Sequence, residues 1–505
     1  MFRLAAACCM FGYLLLATEP DAATRRWWSH VVALANDGME GRDTGSAGYR
    51  KAEAYVEKQF HKLGLQPAGL DGYRQPVPLN ESKLDTGASR IEIVRGSYAR
   101  KLDWLNEVTI GARGATPNFN GDLYFLGSHN RADAGSLNGK VVVTLGVPRI
   151  RTKGAPAPII LAAVPGAPVA ILTIDDLSGP EPPHWPAPYI VSMTPRGASP
   201  TPLADPPQLR LNPAVAEALF EGSGHTYAEL KRLFDTGATL PNFVIPGKLR
   251  ADIRYRARTL ESDNLLAVLP GTDPVLKQEY VVLSAHLDGY GIGAPWHGDA
   301  IYNGAFDDAA YVATLIDLAQ SLTESHTSLK RSLLFCIVTG EEKGLLGSKY
   351  FTAHPTVPKV QMVADLNLDQ VRPIFPLKLL TTLALNDSSL GDTVKQVAAP
   401  MGIQIQEDPE PERNLLRRSD HFSFMQIGVP AVNFVFGYKK GTEDEAVYRT
   451  WYAERYHSPA DDLYQPWIPE AAAKFNHFYA ALVEAVANAP VRPKWFDSSK
   501  FAPHP

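Results

Sequence analysis

From about residue 260 onward, short apolar runs alternate with helical patterns, and this alternation restricts the fold more than any other feature of the chain. The apolar runs are Tyr280–Ala285, Ser332–Thr339, Met362–Leu368 and Val429–Phe436, and the helical patterns are Tyr311–Leu322, Gly344–Phe351 and Pro469–Ala487. Strands that alternate with helices predict an α/β fold built on a doubly wound, mostly parallel sheet. Such sheets bind ligands beyond the carboxyl ends of their strands, so functional residues are expected there.

The residues before this region divide into further segments. Tyr49–Leu63 has the spacing of an amphipathic helix that ends at Gly64. Residues 105–255 contain short apolar runs separated by Gly and Pro, which predicts a β-rich insert. We therefore expect a leader at 1–23, an N-terminal part of the α/β domain at 25–104, the insert at 105–255, the main α/β part at 256–490 and a tail at 491–505.

The N-terminus has the pattern of a short signal peptide. Arg3 precedes an apolar run from Leu4 to Ala17, which is shorter than the ~20 residues that a membrane helix needs. The pattern predicts export to the periplasm or the outside, with no stable membrane insertion once the leader is removed. An uncleaved N-terminal anchor, or an apolar segment that serves as an ordinary helix, is the alternative.

Composition excludes several classes of protein. The chain has 505 residues, of which 45% are hydrophobic and 20% charged, as in a soluble globular protein of several domains. The formal net charge of -5 leaves no basic surplus for binding nucleic acid. The three cysteines, Cys8, Cys9 and Cys336, offer neither a disulfide framework nor a CxxC metal site.

Acidic residues and histidines follow the apolar runs directly or stand in the loops between elements. They are His286, Asp288, Asp307, Asp308, Glu341, Glu342, Asp369, His457 and Asp461. Charged groups at strand ends are costly to bury unless they are paired or bind a metal. Histidine nitrogen and carboxylate oxygen are ligands for Zn²⁺, and two zinc ions can share one carboxylate and one water. Taken singly, each residue also has a structural explanation, such as helix capping by Asp307 and Asp308.

The order and the flanks of these residues resemble the two-zinc aminopeptidases and their relatives, the glutamate carboxypeptidases. The motifs are His286-x-Asp288, Asn303-Gly-Ala-x-Asp307-Asp308, Glu341-Glu342-x-Gly344-x-x-Gly347-Ser348, Asn367-Leu-Asp369 and Tyr456-His457-Ser458-x-x-Asp461. The resemblance extends to Glu40-Gly41-Arg42-x-Thr44-Gly45-Ser46 and to Asn264–Thr272. Residues 105–255, with Gly139–Val143, resemble the protease-associated (PA) insert of secreted members.

This resemblance implies a zinc exopeptidase fold and a role for each matching residue. Asp307 would bridge two Zn²⁺ ions, His286 and Asp369 would complete one site, and Glu342 and His457 would complete the other. Glu341 would be the general base for the water. Asp288 would hold the ring of His286 through its second nitrogen, and Tyr456 would stabilise the oxyanion.

The chain departs from the family pattern at two places. The first histidine is followed by Asp288-Gly289-Tyr290-Gly291, and the bridging pair is followed by Ala309-Ala310-Tyr311, where a small residue is usual. Neither departure removes a ligand.

A further segment, Ser419-Asp420-His421, also resembles part of the family near the active site. Three adjacent residues cannot form a serine-hydrolase triad, and no G-x-S-x-G elbow accompanies them. We expect them to line the substrate pocket or to support the ligands, with simple packing before Val429 as the alternative.

The leading functional interpretation is an exported two-zinc aminopeptidase that hydrolyses peptides with a metal-activated water. A carboxypeptidase or dipeptidase is the alternative, and it would need arginines such as Arg413, Arg417 or Arg418 to bind a carboxylate. A one-zinc glutaminyl cyclase relative and a catalytically silent binding protein are less well supported, because all five ligands and the base are present. Side-chain specificity and oligomeric state are left open.

Overall fold

The computed structural model describes residues 20–111, 118–127, 137–146, 167–179, 181–198, 206–369 and 371–502. The α-helices are α1 Ala22–Ala35, α2 Ala47–Lys62, α3 Ala216–Phe220, α4 Tyr227–Asp235, α5 Ala310–Glu324, α6 Leu346–Ala353, α7 Leu390–Ala398, α8 His421–Gln426, α9 Glu443–Glu454 and α10 Pro469–Asn488. The strands of the first half are β1 Gln66–Pro67, β2 Arg74–Leu84, β3 Arg90–Arg95, β4 Tyr98–Lys101, β5 Val108–Ile110, β6 Phe119–Leu126, β7 Lys140–Leu145, β8 Ala170–Ile174, β9 Val191–Pro195, β10 Gln208–Leu211 and β11 Asn242–Asp252. Those of the second half are β12 Tyr255–Leu269, β13 Tyr280–His286, β14 Gly291–Trp296, β15 Asp299–Tyr302, β16 Ser332–Val338, β17 Met362–Asn367, β18 Leu379–Leu383, β19 Gln404–Gln406 and β20 Ala431–Phe436.

The larger sheet is mixed, with a parallel centre. Its strands lie in the order β19-β18-β20-β17-β13-β16-β12-β2-β9, and β1 pairs with β12. The neighbours β16, β13, β17 and β20 run parallel, whereas β12, β2, β9 and β18 join antiparallel to their neighbours. The α/β prediction is therefore confirmed, but the expected mostly parallel sheet is limited to the central strands.

Helices cover both faces of that parallel centre. Successive residues of β13 point to opposite sides, so Val281 and Leu283 pack with α1, α2, α5 and α10. Val282 lies on the other face, together with Phe351 of α6 and Phe424 of α8. Burial on both faces explains why the central strands are continuous apolar runs, which made them recognisable in the sequence.

A second sheet has eight strands and its own apolar core. Its order is β4-β3-β11-β6-β7-β8-β10-β5, and α3 and α4 pack against it through residues such as Phe220 and Leu230. We call this sheet and its helices the second module. Its first strand begins at Arg90, earlier than the expected boundary at residue 105. The sequence did not reveal this, because the composition of the charged hairpin β3–β4 does not differ from that of the residues before it. The likeness of this module to a PA insert stays a prediction.

The chain crosses between the two sheets within the second module. After β8 it leaves the second sheet, passes through residues 181–190, adds β9 to the edge of the larger sheet beside β2, and returns to the second sheet as β10. We call residues 181–190 the crossover segment.

The predicted signal peptide lies almost entirely outside the described residues. Within the part of the chain that the structure describes, no helix combines the length and apolarity needed to cross a bilayer.

Candidate active site

The predicted site residues gather at one edge of the larger sheet. His286 is the last residue of β13, Glu341 and Glu342 follow β16, and Asp369 follows β17. These three strands are parallel neighbours, so their carboxyl ends meet. Asp307 lies in a short distorted helical turn, Ala305–Ala309, just before α5.

The first group of potential metal ligands consists of His286, Asp307 and Asp369, and all three are buried. Nε2 of His286 lies 3.4 Å from Oδ1 of Asp307 and 4.0 Å from Oδ1 of Asp369. One ligand atom from each residue falls within 4.8 Å of the others, which leaves room for a cation among them.

The second group consists of Asp307, Glu342 and His457, with the same 4.8 Å spacing. Nε2 of His457 lies 3.4 Å from Oδ2 of Asp307 and 3.3 Å from Oε2 of Glu342. Asp307 belongs to both groups and turns a different oxygen toward each histidine. This is the arrangement that a bridging carboxylate requires.

The chemistry of these groups fits divalent cations. Nε2 of His286 and Oε1 of Glu342 are buried and have no hydrogen-bond partner among the described residues. Burial and the neighbouring carboxylates raise the pKa of Glu341 and that of Glu342 well above their usual values. Burial acts in the same direction on Asp307, but the two histidines and Arg372 outweigh it and lower the pKa of Asp307. Buried imidazole and carboxylate groups of this kind are ligands that Zn²⁺ takes.

Asp288 takes a different part from the one expected. The bond to Nδ1 of His286 is made by the backbone carbonyl of Asp288, at 3.0 Å, whereas its carboxylate lies 3.8 Å away. The carboxylate accepts hydrogen bonds from the backbone N–H groups of Glu341 and Glu342 and from the hydroxyl of Thr44. The tautomer of His286 is thus set by a main-chain acceptor, and the side chain of Asp288 fixes the turn that carries Glu341 and Glu342.

Two buried residues hold the turn that carries Asp307. The Arg42 guanidinium donates to the backbone carbonyls of Leu34, Leu287, Asn303 and Gly304, at 2.6 to 2.9 Å. Asp461 accepts from the backbone N–H of Phe306 through its carboxylate and from that of Ala305 through its carbonyl. Asp308 accepts from the backbone N–H of His286 at 2.9 Å, which ties the turn to β13.

His457 lies between two tyrosines. The Tyr456 ring stacks on the imidazole with centroids 3.6 Å apart, and the Tyr290 hydroxyl lies 2.9 Å from Nδ1 of His457. Tyr290 stands at one of the two departures from the family pattern, and sequence reasoning gave it no role. The departure from the family pattern at Tyr290 could have drawn attention to it. Its partner could not be predicted, because Tyr290 and His457 are 167 positions apart in the sequence.

Arg372 was also missed in the sequence. Its buried guanidinium lies 3.4 Å from Oδ2 of Asp307 and donates to the carbonyl of Asp369. The same group lies over the rings of Trp451, Tyr452 and Tyr456. A cation at this place partly neutralises the carboxylates of the site, and aromatic faces stabilise it in the absence of water.

A cavity of about 350 Å³ opens onto both groups of ligands. Its lining includes Glu341, Tyr456 and the cationic residues Lys349, Arg417 and Arg418. Arg413 does not line this cavity, because it is buried in contacts with Glu181, Glu410 and Tyr448.

Ser419, Asp420 and His421 lie behind the ligands and do not line the cavity. All three are buried at the start of α8. Burial lowers the pKa of His421 to about 3, and raises that of Asp420 to about 7. Of the two roles expected for this segment, support of the ligands agrees better with its place than contact with a substrate.

Comparison with known proteins accords with this geometry. Residues 264–483 match the model of peptidase family M28. This part of the chain is therefore similar to peptidase family M28. The match includes every residue of the two ligand groups, so the resemblance drawn from the motifs is confirmed for residues 264–483.

Individual known proteins resemble the chain to different extents. Leupeptin-inactivating enzyme 1 of Streptomyces exfoliatus is 26% identical over 208 residues, which make up 40% of this chain and 43% of that protein. The match thus spans less than half of the curated relative. The aminopeptidase of Aneurinibacillus sp. strain AM-1 has 17% identity and a TM-score of 0.59, and the alignment covers 93% of this chain and 95% of the other. The zinc aminopeptidase BSAP of Bacillus subtilis has 15% identity and the same TM-score, with 94% and 98% covered. The fold, including the second module, is therefore shared with these structures.

Proposed function

We propose that this chain is a two-zinc aminopeptidase that removes N-terminal residues from peptides. The observation that carries the proposal is the shared position of Asp307 between two three-residue groups, His286 with Asp369 and Glu342 with His457. The match of residues 264–483 to a peptidase family supports hydrolysis of peptides, and the solved structures that share this fold include zinc aminopeptidases.

The zinc ions, when bound, would supply Lewis-acid activation of a water and of the scissile carbonyl. Glu341 lines the cavity beside both groups and takes the proton from the water, then gives it to the leaving nitrogen. Tyr456 donates its O–H toward the carbonyl oxygen as negative charge develops there. The carboxylates around the cavity attract the free α-ammonium group of the substrate.

A dipeptidase or carboxypeptidase is the second candidate, and a specific observation favours it. Lys349, Arg417 and Arg418 line the same cavity as the ligands, and cationic side chains there could bind a C-terminal carboxylate. The two functions differ in the substrate terminus that they need, so blocked peptides separate them.

The decisive experiment measures zinc content and hydrolysis on the same preparations. We expect about two zinc ions per chain and hydrolysis of amino-acid p-nitroanilides that a chelator abolishes. Glu341→Ala should keep the zinc and lose at least about 100-fold in kcat, the usual contribution of a general base. Asp307→Ala should lose both.

Other outcomes are equally informative. Hydrolysis of N-acetylated peptides but not of p-nitroanilides would favour a carboxypeptidase, and hydrolysis of free dipeptides alone would favour a dipeptidase. A protein that binds no zinc and stays inactive when zinc is added would contradict any peptidase function.

We also propose that the chain acts outside the cytoplasm, on the basis of Arg3 and the apolar run Leu4–Ala17. N-terminal sequencing of the protein from a secreting host tests this, and a retained Met1 would contradict removal of the leader.

A further inference from the structure

The crossover segment reaches the edge of the candidate active site. A cavity of about 310 Å³ is lined on one side by crossover residues such as Glu181, Tyr189 and Ile190, and on the other by Tyr290, Tyr456 and His457. The second module therefore provides one wall of the space beside His457.

Glu181 joins this segment to residues 413–418, just before α8, through a buried ion cluster. Its side chain is about 1% exposed. One carboxylate oxygen accepts from Arg413 at 2.5 Å, and the other accepts from Arg418 at 2.8 Å. Because two guanidinium groups meet at Glu181, its carboxylate reduces their mutual repulsion and helps to fix both in place, while Arg413 also pairs with Glu410.

Arg418 connects Glu181 to the candidate active site by hydrogen bonds. Its Nη1 donates to Glu181, while its Nη2 donates to the hydroxyl oxygen of Tyr456 at 3.2 Å. A hydroxyl that accepts from a cation directs its own hydrogen elsewhere and becomes a stronger donor. The ring of Tyr456 in turn stacks on His457.

We infer that Glu181 is a positioning residue for the peptidase reaction: it holds Arg418 so that the Tyr456 hydroxyl is oriented as a donor toward the reacting carbonyl. The inference rests on the proposed function and extends it, since it makes the second module a part of the active site. Glu181 acts on this site through Arg418 and Tyr456.

The test compares kcat and KM of the full-length, zinc-loaded wild type and the variants Glu181→Gln, Tyr456→Phe and the double mutant. Glu181→Gln keeps the size of the side chain but removes its charge. We expect kcat to fall by about 10- to 100-fold with KM little changed, as for residues that orient catalytic groups. In the Tyr456→Phe background the same substitution should change kcat less than about 2-fold, because the hydroxyl that it orients is absent.

Glu92→Gln is the matched control. Glu92 is a buried acid of the second module that pairs with Arg90 and Arg250, and it lies in the second sheet away from the site. It should lower the melting temperature without changing kcat. If Glu181→Gln does not fold, Arg418→Lys is measured in the same cycle, because lysine keeps the charge but cannot bond Glu181 and Tyr456 in the same fork geometry.

Each outcome decides the matter. An unchanged kcat in Glu181→Gln, a rise in KM alone, or an equal loss of kcat with and without the Tyr456 hydroxyl would overturn the inference while leaving the proposed peptidase intact. A zinc-loaded wild type that hydrolyses no peptide substrate would instead overturn the proposed function, and this inference with it.

Discussion

At the scale of single residues, the proposed ligand His457 is supported by two tyrosines. Among the five proposed ligands, only His457 lies in the loop after α9. The other four lie at the ends of central strands or in the turn before α5. Tyr290 contacts Nδ1, and Tyr456 covers one face of the ring. A histidine that binds a metal through Nε2 is held in the correct tautomer by the partner of its other nitrogen.

Tyr290→Phe should therefore weaken zinc binding while leaving the fold intact. The loss of the hydroxyl removes an acceptor for the Nδ1 hydrogen, and we expect about a 10- to 100-fold lower affinity for the zinc ion that His457 would bind. Competition with a chromogenic chelator measures this. Tyr479→Phe is the control, because that hydroxyl donates to the Leu366 carbonyl inside the core. Equal zinc affinities for Tyr290→Phe and the wild type would contradict a role for Tyr290.

Several of the residues predicted from the sequence follow a recognisable strand, whereas Asp307 and His457 were predicted from the motifs around them. His286, Glu342 and Asp369 stand within a few positions of an apolar run, so topology alone brings them together. Tyr290, Arg372 and Glu181 were not predicted because their roles depend on contacts between distant segments. The side-chain role expected for Asp288 was wrong in one respect, since a carbonyl group that any residue carries makes the bond to His286.

At the scale of elements, the turn before α5 depends on one buried guanidinium. Arg42 is fully buried and donates to carbonyls from α1, from the end of β13 and from the turn itself. Lysine has a single amino group and cannot reach these acceptors together.

Arg42→Lys should destabilise the protein by about 3 kcal/mol or more, because several buried carbonyls lose a charged donor. It should also lower activity, since the turn carries Asp307. Thermal unfolding and peptide hydrolysis measure the two effects. The control is Arg50→Lys, in which the half-exposed guanidinium donates to the carbonyl of Glu261, and a similar loss of stability there would contradict the special role of Arg42.

The packing of α2 on β12 should depend on pH. Glu53 is buried against β12, where burial and the nearby Asp263 raise its pKa from 4.5 to about 7. Because the folded state holds the proton more tightly than the unfolded chain, this group lowers stability progressively as the pH rises from about 4.5 to about 7.

Glu53→Gln should remove that loss of stability. Its amide oxygen can still accept the hydrogen bond from the backbone N–H of Asp263. We expect a higher melting temperature than the wild type at pH 8, equivalent to about 2 to 3 kcal/mol, and little difference at pH 4.5. Glu57→Gln, on the same helix and paired with Arg74, should cause a small loss at both pH values. A gain for Glu53→Gln that is independent of pH would contradict this explanation.

Elements differ in how readily the sequence reveals them. The central strands are buried on both faces and are unbroken apolar runs in the sequence. In β2, buried positions alternate with half-buried ones, and the first half of β12 is largely exposed. Their pairing extends over eleven residues, from Tyr255 with Leu84 to Leu265 with Arg74, and only the tertiary arrangement makes it evident.

At the scale of the whole molecule, the five proposed ligands come from segments spread between residues 286 and 457, so a bound metal would connect these segments. A metal that binds only the folded chain stabilises it by an amount that grows with the logarithm of the ratio of its concentration to Kd, about 2.7 kcal/mol at a concentration 100 times Kd. Zinc should therefore raise the melting temperature of the apoprotein measurably. Glu341→Ala should keep this increase and Asp307→Ala should lose most of it, as differential scanning calorimetry can show. An increase that survives in Asp307→Ala would place the bound zinc elsewhere.

The crossover segment also limits how the protein can be divided. Deletion of residues 90–252 as a removable unit would take β9 from the edge of the larger sheet and Glu181 from its arginine partners. Chimeras between relatives should accordingly exchange the second module together with the segment 410–418 that receives Glu181. Recombination points chosen from the boundaries of the two sheets alone would separate Glu181 from Arg413 and Arg418, its partners in the same ion cluster.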